Sequence, residues 1–152
     1  MLSVLDRLTD LDPDSSREVR PSYWQEMREL KASVCRDLTA LLNTRRAEHD
    51  VDASYVETSN SLLTFGIADF TSYNLKNNIE QERVRRSIER SVRQFEPRLT
   101  RVEVTMEEPD ALKPVLRFQI AAVLRVGSGE PLLFDVTLHR DLRRINVTGA
   151  NG

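Results

Sequence analysis

The first residues to consider for chemistry are the two histidines, because an imidazole can exchange a proton near neutral pH. His49 lies in a polar stretch, and His139 lies two residues before Asp141, so a triad with a distant serine can be imagined. No nucleophile-elbow motif accompanies these residues, which favours surface histidines over a catalytic triad. We therefore predict no catalytic residue.

Other catalytic and ligand-binding sites are also predicted to be absent. Glu57, Asp69 and Glu96 could be proposed as paired carboxylates for sugar hydrolysis, but nothing in the sequence marks one of them as desolvated. The glycine-rich stretch "GSGEP" lacks the lysine and the following helix that phosphate binding requires. No cluster of His, Cys or carboxylate has metal-ligand spacing, so we expect neither a metal nor a cofactor.

The strongest functional candidate is Glu96-Pro97-Arg98, which lies where a helical pattern ends and a strand pattern begins. Pro97 forbids continuation of the helix, and it disfavours helical geometry at Glu96. Ending the helix at Pro97 does not, however, require a charged residue on each side of the proline. Because Pro97 stiffens the corner, we expect Glu96 and Arg98 to project from it and to recognise another protein by charge-assisted hydrogen bonds. Replacement of either by alanine is then expected to leave the fold intact.

Arginines are dense on both sides of this corner, from Arg83 to Arg101. Acidic residues are interleaved with them, and no exposed aromatic residues alternate with them to stack on bases. The pattern predicts a salt-bridged, solvated helix face and no nucleic-acid partner. Glu82 with Arg86 and Glu89 with Arg93 have the four-residue spacing of helical ion pairs.

Two helices are predicted to position these residues. The first covers 22–46, begins with a capping box of Ser22 and Gln25, and ends near Asn43. Its apolar stripe consists of Trp24, Met27, Leu30, Val34, Leu38 and Leu41. The second begins near Asn77 or Asn78, and its stripe consists of Val84, Ile88, Val92 and Phe95.

After Arg98, apolar residues recur at every second position, which indicates strands with one apolar and one polar face. The alternation is strict through Val102, Val104 and Met106, and it recurs within 115–126, 132–138 and 144–149. Such strands are typical of an antiparallel sheet that is covered on one side. We predict an α+β, two-layer fold in which two main helices cover a mainly antiparallel sheet of four to five strands.

Composition predicts one domain of ordinary size, since the 152 residues are 39% hydrophobic and 30% charged with a formal net charge of −2. A single cysteine, no apolar run near the ~18 residues of a membrane-spanning helix, and an acidic N-terminus predict a cytoplasmic protein. Residues 1–21 are predicted to form a docking segment and linker before a single domain over 22–152. Leu2, Leu5 and Leu8 share helical spacing, and so short a helix needs a surface to dock on.

Four stretches together resemble a known family: "SVLDRL" at 3–8, "DLTALLNTRR" at 37–46, "SLLTFGIADFTS" at 61–72 and "IERSVRQFEPRLTRVEV" at 88–104. Their order and spacing are similar to those of TssE, the family of baseplate subunits of bacterial type VI secretion systems. That family is itself similar to the wedge proteins of contractile phage tails. The resemblance covers nearly the whole chain.

The resemblance implies a structural component of a contractile injection machine and not an enzyme. It implies that Glu96, Pro97 and Arg98 contact neighbouring baseplate and sheath components, and that the N-terminal segment with Leu2, Leu5 and Leu8 docks onto other wedge subunits. It also implies multiple copies in a baseplate ring at the cytoplasmic side of the inner membrane, without insertion into it. A free sheet edge would then seed the contractile sheath by strand addition.

Two alternatives remain open from the sequence. One is an anti-adaptor-like regulatory protein of the same fold, which would bind a response-regulator adaptor. The other is a lysozyme-like enzyme that acts on the cell wall, a role for which the sequence offers no active site.

Overall fold

The computed structural model describes residues 4–8, 22–46, 52, 54–70, 73, 77–107, 115–126, 129, 131–139 and 144–149. The helices are α1 Val4–Leu8, α2 Tyr23–Asn43, α3 Val56–Ser59, a 3-10 helix Leu62–Thr64 and α4 Asn78–Phe95. The strands are β1 Leu99–Met106, β2 Val115–Leu124, β3 Pro131–His139 and β4 Arg144–Gly149. The predicted α+β class, with two main helices and an antiparallel sheet, is confirmed.

Helix α2 begins with the predicted capping box. The Ser22 backbone N–H donates to the Gln25 side chain at 2.8 Å, and the Gln25 backbone N–H donates to the Ser22 hydroxyl at 3.4 Å. The apolar stripe is buried from Leu30 to Leu42, but Trp24 remains 79% exposed. The prediction that Trp24 belongs to the buried stripe is therefore wrong, because the first turn of α2 contributes nothing to the core.

Helix α4 begins at Asn77, whose side chain accepts a hydrogen bond from the Ile79 backbone N–H at 2.9 Å. Val84, Ile88 and Val92 are fully buried, as their spacing predicts. Both predicted four-residue ion pairs also form, since Glu82 pairs with Arg86 and Glu89 with Arg93, each at 2.6 Å.

Within the described segments the sheet has four antiparallel strands in the order β1-β2-β3-β4, so β1 and β4 are its edges there. Its apolar face carries Phe118, Ile120, Phe134 and Val136, which are buried in one cluster with the stripes of α2 and α4. Helix α4 packs on β1, and α2 packs on β4. The two helices therefore reach the two edges of the sheet.

Strand β1 departs from strict alternation at Arg101, which has a positive φ of 52°. The register with β2 shifts between Thr100 and Glu103, as in a β-bulge. The additional residue lets both Leu99 and Val102 face the core, although they are three positions apart. Alternation alone does not predict this bulge.

The connection from α2 to α4 is tied to the ends of both helices. Ile67 N–H donates to the Thr44 carbonyl at 3.0 Å, and Arg46 N–H donates to the Ile67 carbonyl at 2.9 Å. From α4, the Ser91 hydroxyl donates to the Gly66 carbonyl at 2.6 Å. Gly66 has a φ of +103°, a conformation that glycine adopts without steric cost.

Candidate protein-interaction sites at the elbow and the sheet edges

The elbow, which we define as Glu96, Pro97 and Arg98, joins α4 to β1. The Glu96 backbone N–H closes the last turn of α4 by donating to the Val92 carbonyl at 2.9 Å. The Glu96 carbonyl then accepts from the Leu99 N–H at 3.1 Å, which completes a turn around Pro97. The predicted change from helix to strand at Pro97 is confirmed.

Glu96 and Arg98 bind each other across this turn. Arg98 Nε donates to Glu96 Oε1 at 2.6 Å, and Nη2 donates to Oε2 at 2.5 Å, so the pair is bidentate. The side chain of Glu96 is 5% exposed and that of Arg98 is 17% exposed. A paired charge of this kind is tolerated in a protein interior where an isolated one is not.

The same guanidinium also contacts α2. Arg98 Nη2 donates to Asp37 Oδ2 at 2.6 Å, and Nη1 donates to the Ser33 hydroxyl at 2.9 Å. These bonds, and above all the hydrogen bond to Glu96, raise the pKa of Arg98 above its ordinary value, so the group stays charged. Arg98 therefore connects the start of β1 to the middle of α2.

Helix α1 is attached to this network through Asp6. Its carboxylate accepts hydrogen bonds from the Ser33 hydroxyl and from the Arg36 guanidinium. Val4 and Leu8 are 72% and 78% exposed on this helix. Of the predicted docking leucines, Leu8 is thus exposed, whereas Leu2 and the side chain of Leu5 lie outside the described residues.

The expectation that Glu96 and Arg98 both project from the elbow is wrong. Glu96 is 3% exposed as a whole residue, and only Pro97 is exposed at this corner. The physical reason is that opposite charges two residues apart, held by one proline turn, meet each other before they meet a partner. The elbow presents a proline supported from beneath by an internal ion pair.

The outer edge of β4 is bound by side chains of α2. The Asn43 amide accepts from the Ile145 N–H at 2.9 Å and donates to the Ile145 carbonyl at 2.8 Å, as a neighbouring strand would. The Cys35 thiol lies 3.4 Å from the Val147 carbonyl, to which it donates. Burial raises the pKa of this thiol, so it remains a neutral donor.

The outer edge of β1 is contacted only by long side chains of α4 within the described residues. Arg93 Nη2 donates to the Val102 carbonyl at 2.8 Å, and Arg85 Nη1 lies 3.5 Å from the Val104 carbonyl. The Arg93 side chain is 59% exposed. Among the residues that the structure describes, no side chain accepts from the outward backbone N–H groups of this edge, in contrast to that of Ile145.

Sequence reasoning missed the roles of Asn43, Arg85 and Arg93 at the edges. Asn43 was expected only to end α2, and the two arginines only to form ion pairs along α4. No signal in the sequence relates Asn43 to a strand about one hundred residues later. Arg85 gives a weak signal, because it lies on the flank of α4 beside its apolar stripe.

Catalytic and metal sites were predicted to be absent. His49, Asp141 and the side chain of His139 lie outside the described part of the chain. Within that part, no three His, Cys, Asp or Glu side chains come together as a metal site would require. No helix of the described segments is long and apolar enough to cross a membrane.

Comparison with known proteins supports the resemblance. A chain in a solved structure described as "The baseplate complex from the type VI secretion system" matches with a TM-score of 0.53 and 21% sequence identity. The match covers 84% of this chain and 98% of that one, and at this identity it shows a shared fold. The comparison with curated proteins gave no match. The family model described as "Baseplate wedge protein gp25" matches residues 28–128, and the chain therefore belongs to the gp25 baseplate wedge family.

Proposed function

We propose that this protein is a structural, non-catalytic component of the baseplate of a bacterial type VI secretion machine. In this role it docks onto other wedge subunits and seeds polymerisation of the contractile sheath by strand addition. Membership of the gp25 family supports the structural role, and the fold shared with a chain of a type VI baseplate complex supports the secretion system. Several copies would assemble in a ring at the cytoplasmic side of the inner membrane.

The observation that carries strand addition is the difference between the two sheet edges. Asn43 occupies both backbone groups of Ile145 on β4, so a further strand cannot pair there without breaking two hydrogen bonds. On the outer edge of β1, the described side-chain contacts reach carbonyl oxygens alone. Arg93 is 59% exposed and can move aside, whereas Arg85 is held on α4 by Glu82 and Glu89 and lies 3.5 Å from the Val104 carbonyl. An unpaired edge of this kind is a template for an incoming extended segment. We therefore assign β1 as the acceptor edge.

Residues 1–21 are proposed as a docking segment and linker, and residues 22–152 as the wedge domain. Exposed Leu8 supports a hydrophobic contact of this segment with another subunit, to which Leu2 and Leu5 would contribute. The elbow is proposed as a second contact. There Pro97 would touch the neighbour, while Glu96 and Arg98 hold the turn, with 17% of the Arg98 side chain exposed beside it.

A proline at the outer backbone position of each edge strand tests the edge assignment. Met106 and Val147 are matched, because both are partly buried side chains on edge strands and both direct their N–H away from the neighbouring strand. Met106→Pro should prevent sheath assembly in the producing bacterium, since an added strand loses a donor and meets the pyrrolidine ring. Val147→Pro should leave assembly near the parental level. Sheath formation is measured with a fluorescently labelled sheath protein.

Circular dichroism and thermal unfolding of the purified variants establish that each is folded before the comparison is made. A folded Met106→Pro protein that supports normal sheath assembly would overturn the assignment of β1. If only Val147→Pro prevented sheath assembly, β4 would be assigned as the acceptor edge.

A further inference from the structure

Four arginines form a row along the solvent-facing side of α4. Arg83, Arg86, Arg90 and Arg93 follow at steps of three, four and three residues, which places them on one helix face. Their face is opposite to that of the buried Val84, Ile88 and Val92. All four are exposed; the Arg86 and Arg93 side chains have relative exposures of 72% and 59%. We call this row the arginine stripe.

The stripe carries more positive charge than its own helix neutralises. Helix α4 contains five arginines and three glutamates, an excess of two, and the stripe itself runs beside Glu82 and Glu89. Both glutamates are already engaged, because Arg85 binds Glu82 at 2.7 Å and Glu89 at 2.6 Å, and each also binds one stripe arginine. The hydrogen bonds from Arg85 and then Arg86 lower the pKa of Glu82 from 4.5 to about 2. Among the described residues, Arg83 and Arg90 have no ion pair.

This pattern is unfavourable for the isolated helix. Like charges three or four residues apart each destabilise a helix by about 0.2–0.5 kcal/mol, and the stripe contains three such steps. A ligand with negative charges at matching positions would relieve this repulsion.

The stripe is bounded by apolar side chains at both ends. Ile79, one turn before Arg83, is 66% exposed. At the other end, Gln94 donates to the Ser59 carbonyl at 2.7 Å, which holds the 3-10 helix with Leu62 and Leu63 beside α4. Leu62 is 83% exposed and Leu63 is 63% exposed. A ligand along the stripe would therefore meet an apolar contact before and after the charges.

Two open depressions lie along the stripe and share Arg86. One of about 450 Å³ is lined by Asn78, Ile79, Glu82, Arg83 and Arg86. The other, of about 440 Å³, is lined by Asn60, Arg86, Glu89, Arg90, Arg93 and Gln94. They provide room for side chains from a ligand that runs parallel to α4.

We propose that the arginine stripe docks an acidic amphipathic helix of another protein. The distance from Ile79 to Arg93 corresponds to about 21 Å of helix, or about four turns. The partner helix would present Asp or Glu at three- and four-residue steps and an apolar residue at each end. The carboxylates suit arginine, which binds them in bidentate fashion. A nucleic acid fits less well, because the stripe has no aromatic side chain for base stacking and is flanked by two glutamates.

Arg93 belongs both to the stripe and to the β1 edge, since it donates to the Val102 carbonyl. Among the described residues Arg83 and Arg90 form no hydrogen bond with β1, so their replacement tests the docking separately from strand addition. The test uses Arg83→Glu/Arg90→Glu in the full chain. Its matched control is Arg28→Glu/Arg117→Glu, which reverses two exposed arginines on other elements and changes the net charge equally. The probe is a labelled 15-residue helical peptide with four glutamates at the stripe spacing and a leucine near each end. A second peptide has the same composition with its glutamates distributed around the helix.

Fluorescence anisotropy should show that the patterned peptide binds the parent chain at least tenfold more tightly than the redistributed peptide. The stripe variant should lose at least tenfold in affinity, and the control variant less than twofold. Equal binding of both peptides, or equal losses in both variants, would reduce the effect to net charge and overturn the proposal. A labelled single-stranded RNA provides the other outcome. If this RNA bound the parent chain more tightly than the patterned peptide does, and if the stripe variant lost that binding, the proposal would be overturned in favour of a nucleic-acid partner.

Discussion

At the residue scale, the Glu96–Arg98 pair connects three segments of the chain that are far apart in sequence. Arg98 is bound to Glu96 at the end of α4 and to Asp37 and Ser33 on α2, and Ser33 in turn binds Asp6 of α1. Buried charges are costly unless they are paired and hydrogen-bonded. The pair is therefore a structural element of the domain first, and any contact of the elbow with a partner depends on its integrity.

Glu96→Ala is expected to lower the free energy of unfolding by about 3 kcal/mol, because it leaves the half-buried Arg98 guanidinium without its bidentate partner. Asp37 remains as a second acceptor, which keeps the loss near the lower end of the range for broken buried pairs. Urea denaturation followed by circular dichroism measures it. This expectation replaces the one from sequence, in which the substitution leaves the fold unchanged.

Glu103→Ala is the control for this measurement, since Glu103 is an exposed carboxylate on β1 and should change stability by less than about 0.5 kcal/mol. Equal stability of the Glu96→Ala and Glu103→Ala proteins would show that the buried pair does not hold the elbow.

At the scale of secondary-structure elements, the periodicity of apolar residues predicts α2, α4 and the faces of the strands correctly. It does so because burial on one side of a helix or strand imposes a period that is visible in the sequence. The bulge at Arg101 and the exposed Trp24 were not predictable in this way. The exposure of Trp24 depends on how far the opposite layer extends, and the bulge depends on the register of β1 with β2. The local pattern contains neither.

Gly66→Ala is expected to destabilise the domain by at least about 3 kcal/mol. A Cβ at this position would lie 2.4 Å from the Thr44 carbonyl oxygen, and the φ of +103° is unfavourable for alanine. The backbone atoms that would clash are held by the bonds between Thr44 and Ile67, so they cannot move aside without loss. Thermal or urea unfolding provides the measurement.

Gly129→Ala separates the effect of the steric clash from the effect of the backbone conformation. Gly129 also has a positive φ, of +73°, but a Cβ there meets no atom within 4 Å. Its replacement should cost only about 1 kcal/mol, from backbone conformation alone. If the two alanine variants were equally stable, the close approach of Gly66 to Thr44 would not be a constraint on the fold.

At the scale of the whole molecule, the two helices give the two borders of the sheet different properties. Helix α2 places an amide against β4 that satisfies a backbone N–H and a backbone C=O together. Helix α4 places only arginine donors against β1. Edge strands that are left unpaired associate with other chains, so a domain that assembles in one direction benefits from one blocked and one accessible border.

Asn43→Leu is expected to open the β4 border and to increase self-association above that of the parent chain. The substitution keeps a side chain that branches at Cγ but removes both hydrogen-bonding groups, which leaves the Ile145 N–H and C=O without a partner. Size-exclusion chromatography with light scattering over a range of concentrations measures the change. Asn146→Leu is the control, because it adds a leucine to the exposed surface of β4 without altering the backbone pairing of the edge. A variant at Asn43 that stays as monodisperse as the Asn146 variant would contradict a blocking role for the amide.

The sequence by itself determined the two helices, the antiparallel strands, the turn at Pro97 and the family, because each is written in local spacing or in a contiguous motif. The tertiary structure decided which way the charges at the elbow point and which border of the sheet is blocked. The pairing of Glu96 with Arg98 is local, but the pair is held inward because Ser33 and Asp37, some sixty residues earlier, bind the same guanidinium. Asn43 binds β4 because α2 packs on that strand. Contacts between distant segments are set by how the layers pack, and no local pattern of residue types encodes them.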